Sequence, residues 1–334
     1  MRKFGNTGME IKRVGFGGIP IQRISQEDTN KVIDELEKCG VNFIDSARGY
    51  TISEEYLGNA LKGRREKFYI ATKSMSRDYE SMKKDIEISL KNLQTDYIDL
   101  YQMHNVKPAE YDTLFGEDKA YRALLEAKEQ GKIKHIGITS HGLETVEKAV
   151  ESDKFETIQF PYNIVENQAD EVFKRAYEKG VGTIVMKPLA GGAIDDGTLA
   201  MKYLLSREYI DVAIPGMDSP QQVIENTDVL QNYELTEEDN KKIAKIKSEL
   251  GTNFCRRCEY CLPCPKGINI PQNFLLEGYY NRYNLKDWAV DRYRGLAENE
   301  RASNCIECGA CQKKCPYELP IIDMLKKVVD TLEK

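Results

Sequence analysis

Eight of the nine cysteines of this 334-residue chain lie in two short runs toward its C-terminal end. The first run is Cys255-x2-Cys258-x2-Cys261-x2-Cys264-Pro265, and the second is Cys305-x2-Cys308-x2-Cys311-x3-Cys315-Pro316. Three thiolates at three-residue intervals can wrap one iron–sulfur cluster in a loop, and a closing Cys-Pro is typical of bacterial iron–sulfur proteins. The spacing therefore predicts iron–sulfur chemistry in this part of the chain.

The number of thiols matches two [4Fe-4S] clusters, each with four thiolate ligands. In two-cluster proteins of this kind the fourth cysteine of each run binds the other cluster. That rule predicts one cluster on Cys255, Cys258, Cys261 and Cys315, and another on Cys264, Cys305, Cys308 and Cys311. The alternatives are a structural zinc site, which commonly uses two C-x2-C pairs, and buried cysteines without metal.

A second candidate site lies in the first third of the chain. Asp45, Lys73 and His104 each close an apolar stretch, and Tyr50 follows Asp45 by five residues. Each residue alone has an ordinary structural explanation, such as a solvated lysine or a satisfied histidine. Ionisable residues at the ends of three successive apolar strands are harder to explain by packing, because an unpaired buried charge is costly. Together the four residues predict a site.

The same four side chains have a coherent chemistry for reducing a carbonyl group. Hydride addition needs a proton donor for the forming alkoxide, and Tyr50 can donate if its pKa falls from about 10 toward neutrality. Lys73 would lower that pKa as a nearby cation, and Asp45 would hold Lys73 in place. His104 would hydrogen-bond the carbonyl oxygen and orient it.

The elements that must position these residues alternate regularly from about residue 10 to 232. Eight apolar stretches, most of them rich in β-branched and aromatic residues, predict buried parallel strands. They are Val14–Gly18, Val41–Asp45, Phe68–Lys73, Tyr97–His104, Ile133–Ser140, Thr157–Phe160, Thr183–Pro188 and Asp211–Pro215. A capping box at Ser25-Gln-Glu-Asp28 predicts the start of the first helix, which ends at Gly40. Later helices are predicted at Tyr79–Leu93, Lys119–Gln130, Leu143–Glu151, Gln168–Lys179, Leu199–Ser206 and Ser219–Gln231.

Eight strand–helix repeats in about 220 residues predict an α/β chain with a (β/α)8 TIM barrel, because parallel strands need crossover helices. The alternative is an open doubly wound sheet, but Gly15-Phe-Gly17-Gly18 does not match its glycine fingerprint. The first ten residues are expected to form a hairpin across the bottom of the barrel. We predict a barrel domain over residues 1–250 and a small, mostly α-helical ferredoxin-like domain over residues 251–334.

Composition excludes some classes of function. The chain has 48 basic and 54 acidic residues and a pI near 5.5, which argues against a general nucleic-acid binder. No apolar run approaches the length of a membrane span. The N-terminal sequence has no apolar signal-peptide core, so we expect a cytoplasmic protein with a small-molecule substrate.

Over residues 1 to about 250 the sequence resembles the aldo-keto reductase family. The family's Asp, Tyr, Lys and His tetrad matches Asp45, Tyr50, Lys73 and His104 in order and spacing. The whole chain resembles a subgroup in which this barrel precedes a cysteine-rich, ferredoxin-like tail. The resemblance implies an NAD(P)(H)-dependent oxidoreductase that acts on a carbonyl or alcohol, with Tyr50 as general acid and base.

The resemblance also implies a nucleotide site on the later strands. The segments beginning at Gly137, Ile158, Met186 and Ile214 stand where the family has its cofactor-binding motifs. The implied contacts are Thr139, Ser140, Gln159, Met186, Lys187, Pro188, Leu189, Gly216, Gln222, Glu225 and Asn226.

Several of these positions depart from the family pattern. Met186 replaces the aromatic residue that stacks under the nicotinamide, and Thr139 and Ser140 replace a Ser-Asn pair that holds its carboxamide. Gly216 and Gln222 replace a Lys and an Arg that clamp the 2′-phosphate of NADP in many members. Two fewer cations weaken the argument for NADP over NAD. The resemblance itself favours NADP(H), so either NADP(H) or NAD(H) is expected.

Two functions are compatible with these observations. The first is a carbonyl-reducing enzyme whose clusters either exchange electrons with a ferredoxin-like partner or are structural. A hydride carries two electrons while each cluster accepts one, and no flavin motif is visible to split the pair. The alternative is a nucleotide-binding, redox-sensing or electron-transfer adaptor with little carbonyl turnover. The intact tetrad favours the enzyme, whereas Met186 and the altered carboxamide site favour the adaptor.

Overall fold

The structure, a computed structural model, describes residues 1–192, 194, 196–250, 255, 261–281, 285–315 and 318–334. These residues fall into two units. The first unit contains Met1–Leu189 and Asp196–Thr236, and the second contains Ala190–Asp195 and Glu237–Lys334. The helix that precedes the predicted domain boundary, Glu237–Leu250, is grouped with the second unit.

A parallel sheet of eight strands forms the centre of the first unit, and its strands are hydrogen-bonded in chain order. A two-stranded hairpin, β1 (Arg2–Lys3) and β2 (Glu10–Ile11), precedes it. The sheet contains β3 (Phe16–Gly17), β4 (Phe43–Asp45), β5 (Tyr69–Ser74), β6 (Ile98–Met103), β7 (Ile133–Thr139), β8 (Thr157–Pro161), β9 (Gly182–Met186) and β10 (Val212–Ala213). The predicted strands are therefore present, several of them shorter at their ends.

The sheet closes on itself. Parallel bridges join Val14 to Ala213 and Gly17 to Gly216, which connects the first strand to the last. A side chain at Gly17 could not fit there, because its Cβ would lie 2.8 Å from the carbonyl oxygen of Ile214. The closure confirms the predicted (β/α)8 barrel over the open, doubly wound alternative.

Helices cover the outside of the barrel between successive strands. They are α1 (Gln26–Lys38), α2 (Ser53–Ala60), α3 (Tyr79–Leu93), α4 (Ala120–Glu129), α5 (Leu143–Glu151), α6 (Asp170–Glu178), α7 (Gly197–Leu205) and α8 (Pro220–Asp228). Ser25 caps α1 as predicted, because its hydroxyl accepts a hydrogen bond from the backbone N–H of Asp28. The sequence prediction missed α2, whose N-cap, Ile52, has no side chain that can cap a helix.

The N-terminal hairpin lies at the bottom of the barrel, as expected. Phe4, Met9 and Ile11 are buried in one cluster with Phe43 and other residues of the barrel strands. In this fold the opposite end, where the strands finish, carries the functional residues. The hairpin therefore closes one end of the barrel and leaves the carboxyl ends of the strands for chemistry.

The described part of the second unit is helical and contains no strand. Its helices are α9 (Glu237–Leu250), α10 (Ile270–Asn281), α11 (Lys286–Arg294), α12 (Ala310–Lys314) and α13 (Ile321–Leu332). Apolar residues of α10 and α13, among them Phe274, Leu325 and Val328, share one buried core with Cys261 and Cys311. This agrees with the predicted mostly α-helical tail.

Candidate functional site

The carboxyl ends of three neighbouring strands bring the four predicted catalytic residues together. Asp45 is the last residue of β4, Lys73 lies near the end of β5, and His104 follows β6. Lys73 Nζ donates hydrogen bonds to Asp45 Oδ2 at 2.5 Å and to the Ser46 carbonyl oxygen at 2.6 Å. The same Nζ lies 5.1 Å from the centroid of the Tyr50 ring. The ammonium group therefore lies between a carboxylate and a phenol.

Burial makes this ion pair electrostatically strong. Asp45 and Lys73 are only 2% and 1% exposed. Burial raises the pKa of Asp45, while Lys73 and the amides of Gln102 and Gln159 counteract that rise. Burial also opposes the charged form of Lys73, but Asp45 and Tyr50 outweigh it and raise the pKa of Lys73. The site thus holds a cation next to the tyrosine at neutral pH.

His104 forms the other wall beside Tyr50. The two rings meet edge to face, with centroids 5.9 Å apart. Burial, followed by the charges of Lys73 and Arg77, lowers the pKa of His104 to about 3. Among the described residues, none gives the buried Nδ1 atom a hydrogen bond. A neutral imidazole of this kind can hydrogen-bond a substrate oxygen without carrying a charge of its own.

The sequence analysis did not find the residues that support this tetrad. Gln102 Nε2 donates to Asp45 Oδ1 at 3.1 Å across the barrel. Gln102 lies two residues before His104. Because side chains alternate between the two faces of a strand, this spacing places Gln102 and His104 on the same face, and it can be read from the sequence. Buried Glu54 forms an ion pair with half-buried Arg48, with Arg48 Nη1 and Glu54 Oε2 2.7 Å apart. No sequence pattern signals that pair, because α2 was not predicted.

The predicted carboxamide-binding hydroxyls at the end of β7 have partners within the protein. Thr139 Oγ1 accepts a hydrogen bond from Asn105 N at 2.8 Å. Ser140 Oγ donates to the Val106 carbonyl oxygen at 2.6 Å and accepts from Gly142 N at 2.9 Å. Both hydroxyls therefore connect β7 to the loop after β6.

Gln159 offers an open acceptor in the same region. It lies on β8 and is 2% exposed, and its amide contributes to the charge balance of Asp45. Its other terminal atom, Oε1, is buried without a hydrogen-bond partner in the part of the chain that the structure describes. A buried acceptor without a donor is costly. This atom is consistent with a ligand that brings its own N–H group.

The next group of predicted contacts follows β9. Met186 is the last residue of that strand, and Lys187, Pro188 and Leu189 form the turn after it. Lys187 adopts a left-handed backbone conformation with a φ of 57°. Its Nζ atom lies 2.9 Å from His141 Nε2. The turn thus presents a cation on the same side of the barrel as the tetrad.

The last group of predicted contacts lies around the start of α8. Gly216 is exposed and pairs with Gly17. Gln222 Oε1 accepts from Asp218 N at 2.8 Å, and Asn226 Nδ2 donates to the Gln222 carbonyl oxygen at 2.8 Å. Glu225 is exposed and accepts from Gln221 Nε2. The sequence contains no Lys or Arg between residues 208 and 240, so no cation of this segment can meet a phosphate.

Four cysteines of the second unit line one cavity. They are Cys264, Cys305, Cys308 and Cys311. Burial, together with the thiols of Cys305 and Cys264, raises the pKa of Cys311. Left-handed conformations at Glu307 and Gly309, with φ of 54° and 73°, curl the loop that carries them. This grouping is the one that the two-cluster rule predicts for one [4Fe-4S] cluster.

The remaining predicted ligands are only partly described. Cys255, Cys261 and Cys315 are described and form no disulfide, whereas Cys258 lies outside the described residues. Within the described residues, no three His, Cys, Asp or Glu side chains are close enough together to hold a single metal ion.

Comparison with known proteins places both parts of the chain. Residues 13–198 match the model of the aldo/keto reductase family, and residues 254–320 match a 4Fe-4S dicluster domain. L-galactose dehydrogenase from Arabidopsis thaliana is 26% identical over 301 residues, covering 75% of this chain and 94% of that protein. Methylglyoxal reductase DkgA from Escherichia coli (strain K12) is 29% identical over 251 residues, covering 69% and 88%.

A solved structure agrees with these matches. The holo form of aldo-keto reductase AKR11C1 from Bacillus halodurans superposes with a TM-score of 0.65 at 25% identity, covering 73% of this chain and 95% of that one. No helix in the described part of this chain is long and apolar enough to cross a membrane. The chain therefore belongs to the aldo/keto reductase family of oxidoreductases and carries a 4Fe-4S dicluster domain.

Proposed function

We propose that this protein is an NAD(P)(H)-dependent oxidoreductase that interconverts a carbonyl and an alcohol on a small molecule. The observation that carries the proposal is the buried Lys73 ammonium, held on Asp45 and set beside the Tyr50 ring. Relatives named for L-galactose and methylglyoxal support a small substrate with a carbonyl or hydroxyl group.

Each member of the tetrad has one task in this chemistry. Tyr50 donates its phenolic proton to the oxygen of the carbonyl as that oxygen becomes an alkoxide. Lys73 stabilises the resulting tyrosinate, and Asp45 keeps Lys73 charged and in place. Neutral His104 hydrogen-bonds the carbonyl oxygen and orients it toward Tyr50. A bound nicotinamide supplies or accepts the hydride.

The chain offers groups that fit a nicotinamide nucleotide. The unpaired Oε1 of Gln159 can accept a hydrogen bond from the carboxamide N–H2. Thr139 and Ser140 would shape the nicotinamide site by holding the loop after β6, because their hydroxyls are already hydrogen-bonded within the protein. Met186 would lie against the nicotinamide ring. Lys187, Pro188 and Leu189 would meet the pyrophosphate. Gly216, Gln222, Glu225 and Asn226 would meet the adenosine end.

The proposed site is compatible with two forms of the nucleotide, NADP(H) and NAD(H). Family membership favours NADP(H), but the absence of Lys and Arg from residues 208–240 removes the usual clamp for its 2′-phosphate. Since a phosphate gains most from charged hydrogen-bond donors, this segment gives NADP(H) little advantage over NAD(H).

We also propose that residues 251–334 bind two [4Fe-4S] clusters, with the barrel in residues 1–250. The cavity lined by four thiols supports one of them, and the second would use Cys255, Cys258, Cys261 and Cys315. A bound cluster supplies one-electron transfer, and the thiolates hold it in place.

The cavity with four thiols lies near the surface, which favours electron exchange with a partner. Cys308 is exposed, and Ile306 beside it is 59% exposed. Lys266 also lines the cavity and is exposed. An exposed apolar residue flanked by a cation suits a small, acidic, ferredoxin-like electron carrier. A pull-down and titration with such a carrier, compared with an Ile306→Asp variant, would test this.

A steady-state assay of the reconstituted protein tests the proposed function directly. The protein would be purified anaerobically, its iron and sulfide measured, and NADH and NADPH oxidation followed with a panel of small aldehydes and ketones. Turnover with at least one carbonyl supports the enzyme. Tight nucleotide binding without turnover on any member of the panel would favour the redox-sensing adaptor instead.

A further inference from the structure

Glu54 is a buried carboxylate that ties together three elements next to the tetrad. It lies in the first turn of α2, and its side chain has no exposed surface. Glu54 Oε1 accepts from Thr72 Oγ1 on β5 at 2.7 Å and from Ser89 Oγ on α3 at 2.8 Å. Glu54 Oε2 accepts from Arg48 Nη1 at 2.7 Å. Hydrogen bonds from these partners offset the cost of burying the carboxylate.

Arg48 links this carboxylate to the catalytic loop. It lies two residues before Tyr50, and its backbone N–H donates to the carbonyl oxygen of Lys73 at 2.9 Å. Burial disfavours the charged guanidinium, but Glu54, followed by Asp85 with its Oδ1 3.7 Å from Arg48 Nε, outweighs this and raises the pKa of Arg48. Arg48 therefore stays charged, and it contacts both the backbone of Lys73 and the carboxylate of Glu54.

Backbone hydrogen bonds hold part of this loop, from Tyr50 N to the Ala47 carbonyl oxygen at 3.0 Å and from Ser53 N to the Tyr50 carbonyl oxygen at 2.8 Å. Thr51 adopts a left-handed backbone conformation with a φ of 38°, which costs free energy for a β-branched residue. A backbone held in such a conformation persists only when surrounding contacts determine it. The Arg48–Glu54 pair supplies such a contact on the side of the loop that faces β5.

We propose that Glu54 is a positioning residue for the reaction. It holds Arg48, which holds the loop on β5 and so sets the place of the Tyr50 hydroxyl relative to the Lys73 ammonium. The distance between this cation and the phenol determines how far the pKa of Tyr50 falls. The proposal rests on the assignment of Tyr50 as the proton donor.

The test is Glu54→Gln, which keeps the size of the side chain but turns an amide toward Arg48. A misplaced reacting group costs up to about a hundredfold in rate, so we expect kcat to fall roughly tenfold to a hundredfold. The KM for the carbonyl and the Kd for the nucleotide should stay within about twofold. The limb of the pH profile that reports Tyr50 should move to higher pH, because the phenol is displaced from the Lys73 ammonium and is stabilised less as a tyrosinate.

Asp99→Asn is the matched control. Asp99 is also a buried carboxylate, paired with Arg65 Nη2 at 2.7 Å and with the backbone N–H of Ile70 at 2.8 Å. These contacts lie near the start of β5, at the opposite end of the strand from Lys73. Both variants should lower the thermal midpoint, but only Glu54→Gln should shift the pH profile.

Arg48→Met provides a second route to the same result. If Glu54 acts through Arg48, this variant should shift the pH limb as Glu54→Gln does, and the double variant should lose no more than either single one. If Glu54→Gln does not fold, the Arg48→Met variant is sufficient to test the proposal. Additive losses, or a Glu54→Gln profile indistinguishable from that of Asp99→Asn, would overturn the proposal.

Tyr50→Phe in the same assay separates this inference from the proposed function. If Tyr50→Phe turns over like the parent, the proton-donor assignment fails and the role of Glu54 fails with it. If Tyr50→Phe abolishes turnover while Glu54→Gln leaves kcat and its pH limb unchanged, only the positioning role is wrong.

Discussion

The chemistry of single residues depends on where the charge of Lys73 is placed. Asp45 neutralises it on one side, and the Tyr50 ring lies on the other. Because the pair is buried, solvent cannot screen the cation from the phenol, so its effect on proton donation is large. The tetrad could be found from sequence because Asp45, Lys73 and His104 close apolar stretches and Tyr50 follows Asp45 by five residues. Its supporting pair, Glu54 and Arg48, could not be found from the sequence, because nothing in the order of the residues shows that both contact β5.

Tyr50→Phe tests the proton donor. The variant removes one hydroxyl and hardly changes shape, and general acid catalysis contributes roughly 10²–10⁴-fold. We expect carbonyl reduction to fall by that factor while nucleotide binding, measured by fluorescence titration, is retained. A Tyr50→Phe enzyme as fast as the parent would refute the assignment.

His104 gives a prediction about pH. Its pKa is lowered to about 3 in the folded protein, while the unfolded chain takes up that proton near pH 6.5. Between these values the unfolded state binds more protons, so His104 makes the protein less stable as the pH falls. The thermal midpoint of His104→Gln should therefore drop less between pH 7 and pH 5 than the midpoint of the parent. An equal drop, measured by circular dichroism, would mean that His104 is not held neutral.

Nucleotide preference is a third prediction at this scale. Without Lys or Arg between residues 208 and 240, NADH and NADPH should bind within a factor of about ten, or about 1.4 kcal/mol. Gln222→Arg adds a charged donor where Gln222 Oε1 now accepts a hydrogen bond from Asp218 N. It should tighten NADPH binding by about tenfold or more and leave NADH unchanged. A strong NADPH preference in the parent would show that a cation from another segment holds the phosphate.

At the scale of elements, the alternation of strands and helices was readable because buried parallel strands are almost continuously apolar. The ends of α3 and α5 agree with their predictions, since both helices have a regular apolar stripe. The helix α2 was missed because it is only eight residues long and starts without a capping side chain. Its existence depends on packing against α3, which is a tertiary contact and leaves no local pattern.

That packing can be tested at Gly58. A Cβ at this position of α2 would lie 2.2 Å from the backbone carbonyl oxygen of Asn92 at the end of α3. Gly58→Ala should therefore separate the two helices and lower the free energy of unfolding by about 1–3 kcal/mol. Gly197 lies in the first turn of α7, where a Cβ would lie 3.6 Å from the Leu189 side chain, so Gly197→Ala should be neutral or slightly stabilising. Similar thermal midpoints for both variants would show that α2 and α3 are not in close contact.

At the scale of the whole molecule, two units with different sources of stability share one chain. The barrel has a core of its own, closed at the bottom by the hairpin. The cysteine spacing predicted the cluster ligands, because iron–sulfur loops encode their ligands locally. The sequence did not predict that the tail has a buried core shared by two helices far apart in the chain. This core depends on α10 and α13 meeting across about fifty residues of chain.

The last prediction concerns what iron does for the tail. Metal sites do not pre-exist in unfolded chains, so thiolate ligands contribute to folding. Because residues 251–334 have few apolar stripes, the sequence predicts that the whole tail loses order without iron. The buried core shared by α10 and α13 narrows that expectation to the cysteine-bearing loops, because Phe274, Leu325 and Val328 are apolar core residues of these helices and are not metal ligands. Cys308→Ser should lose one cluster by iron and sulfide analysis. Hydrogen exchange should then rise sharply over residues 305–315 and much less in α10 and α13. If residues 305–315 stay as protected as in the iron-loaded parent, the cluster does not hold this loop, and its contribution is electron transfer alone.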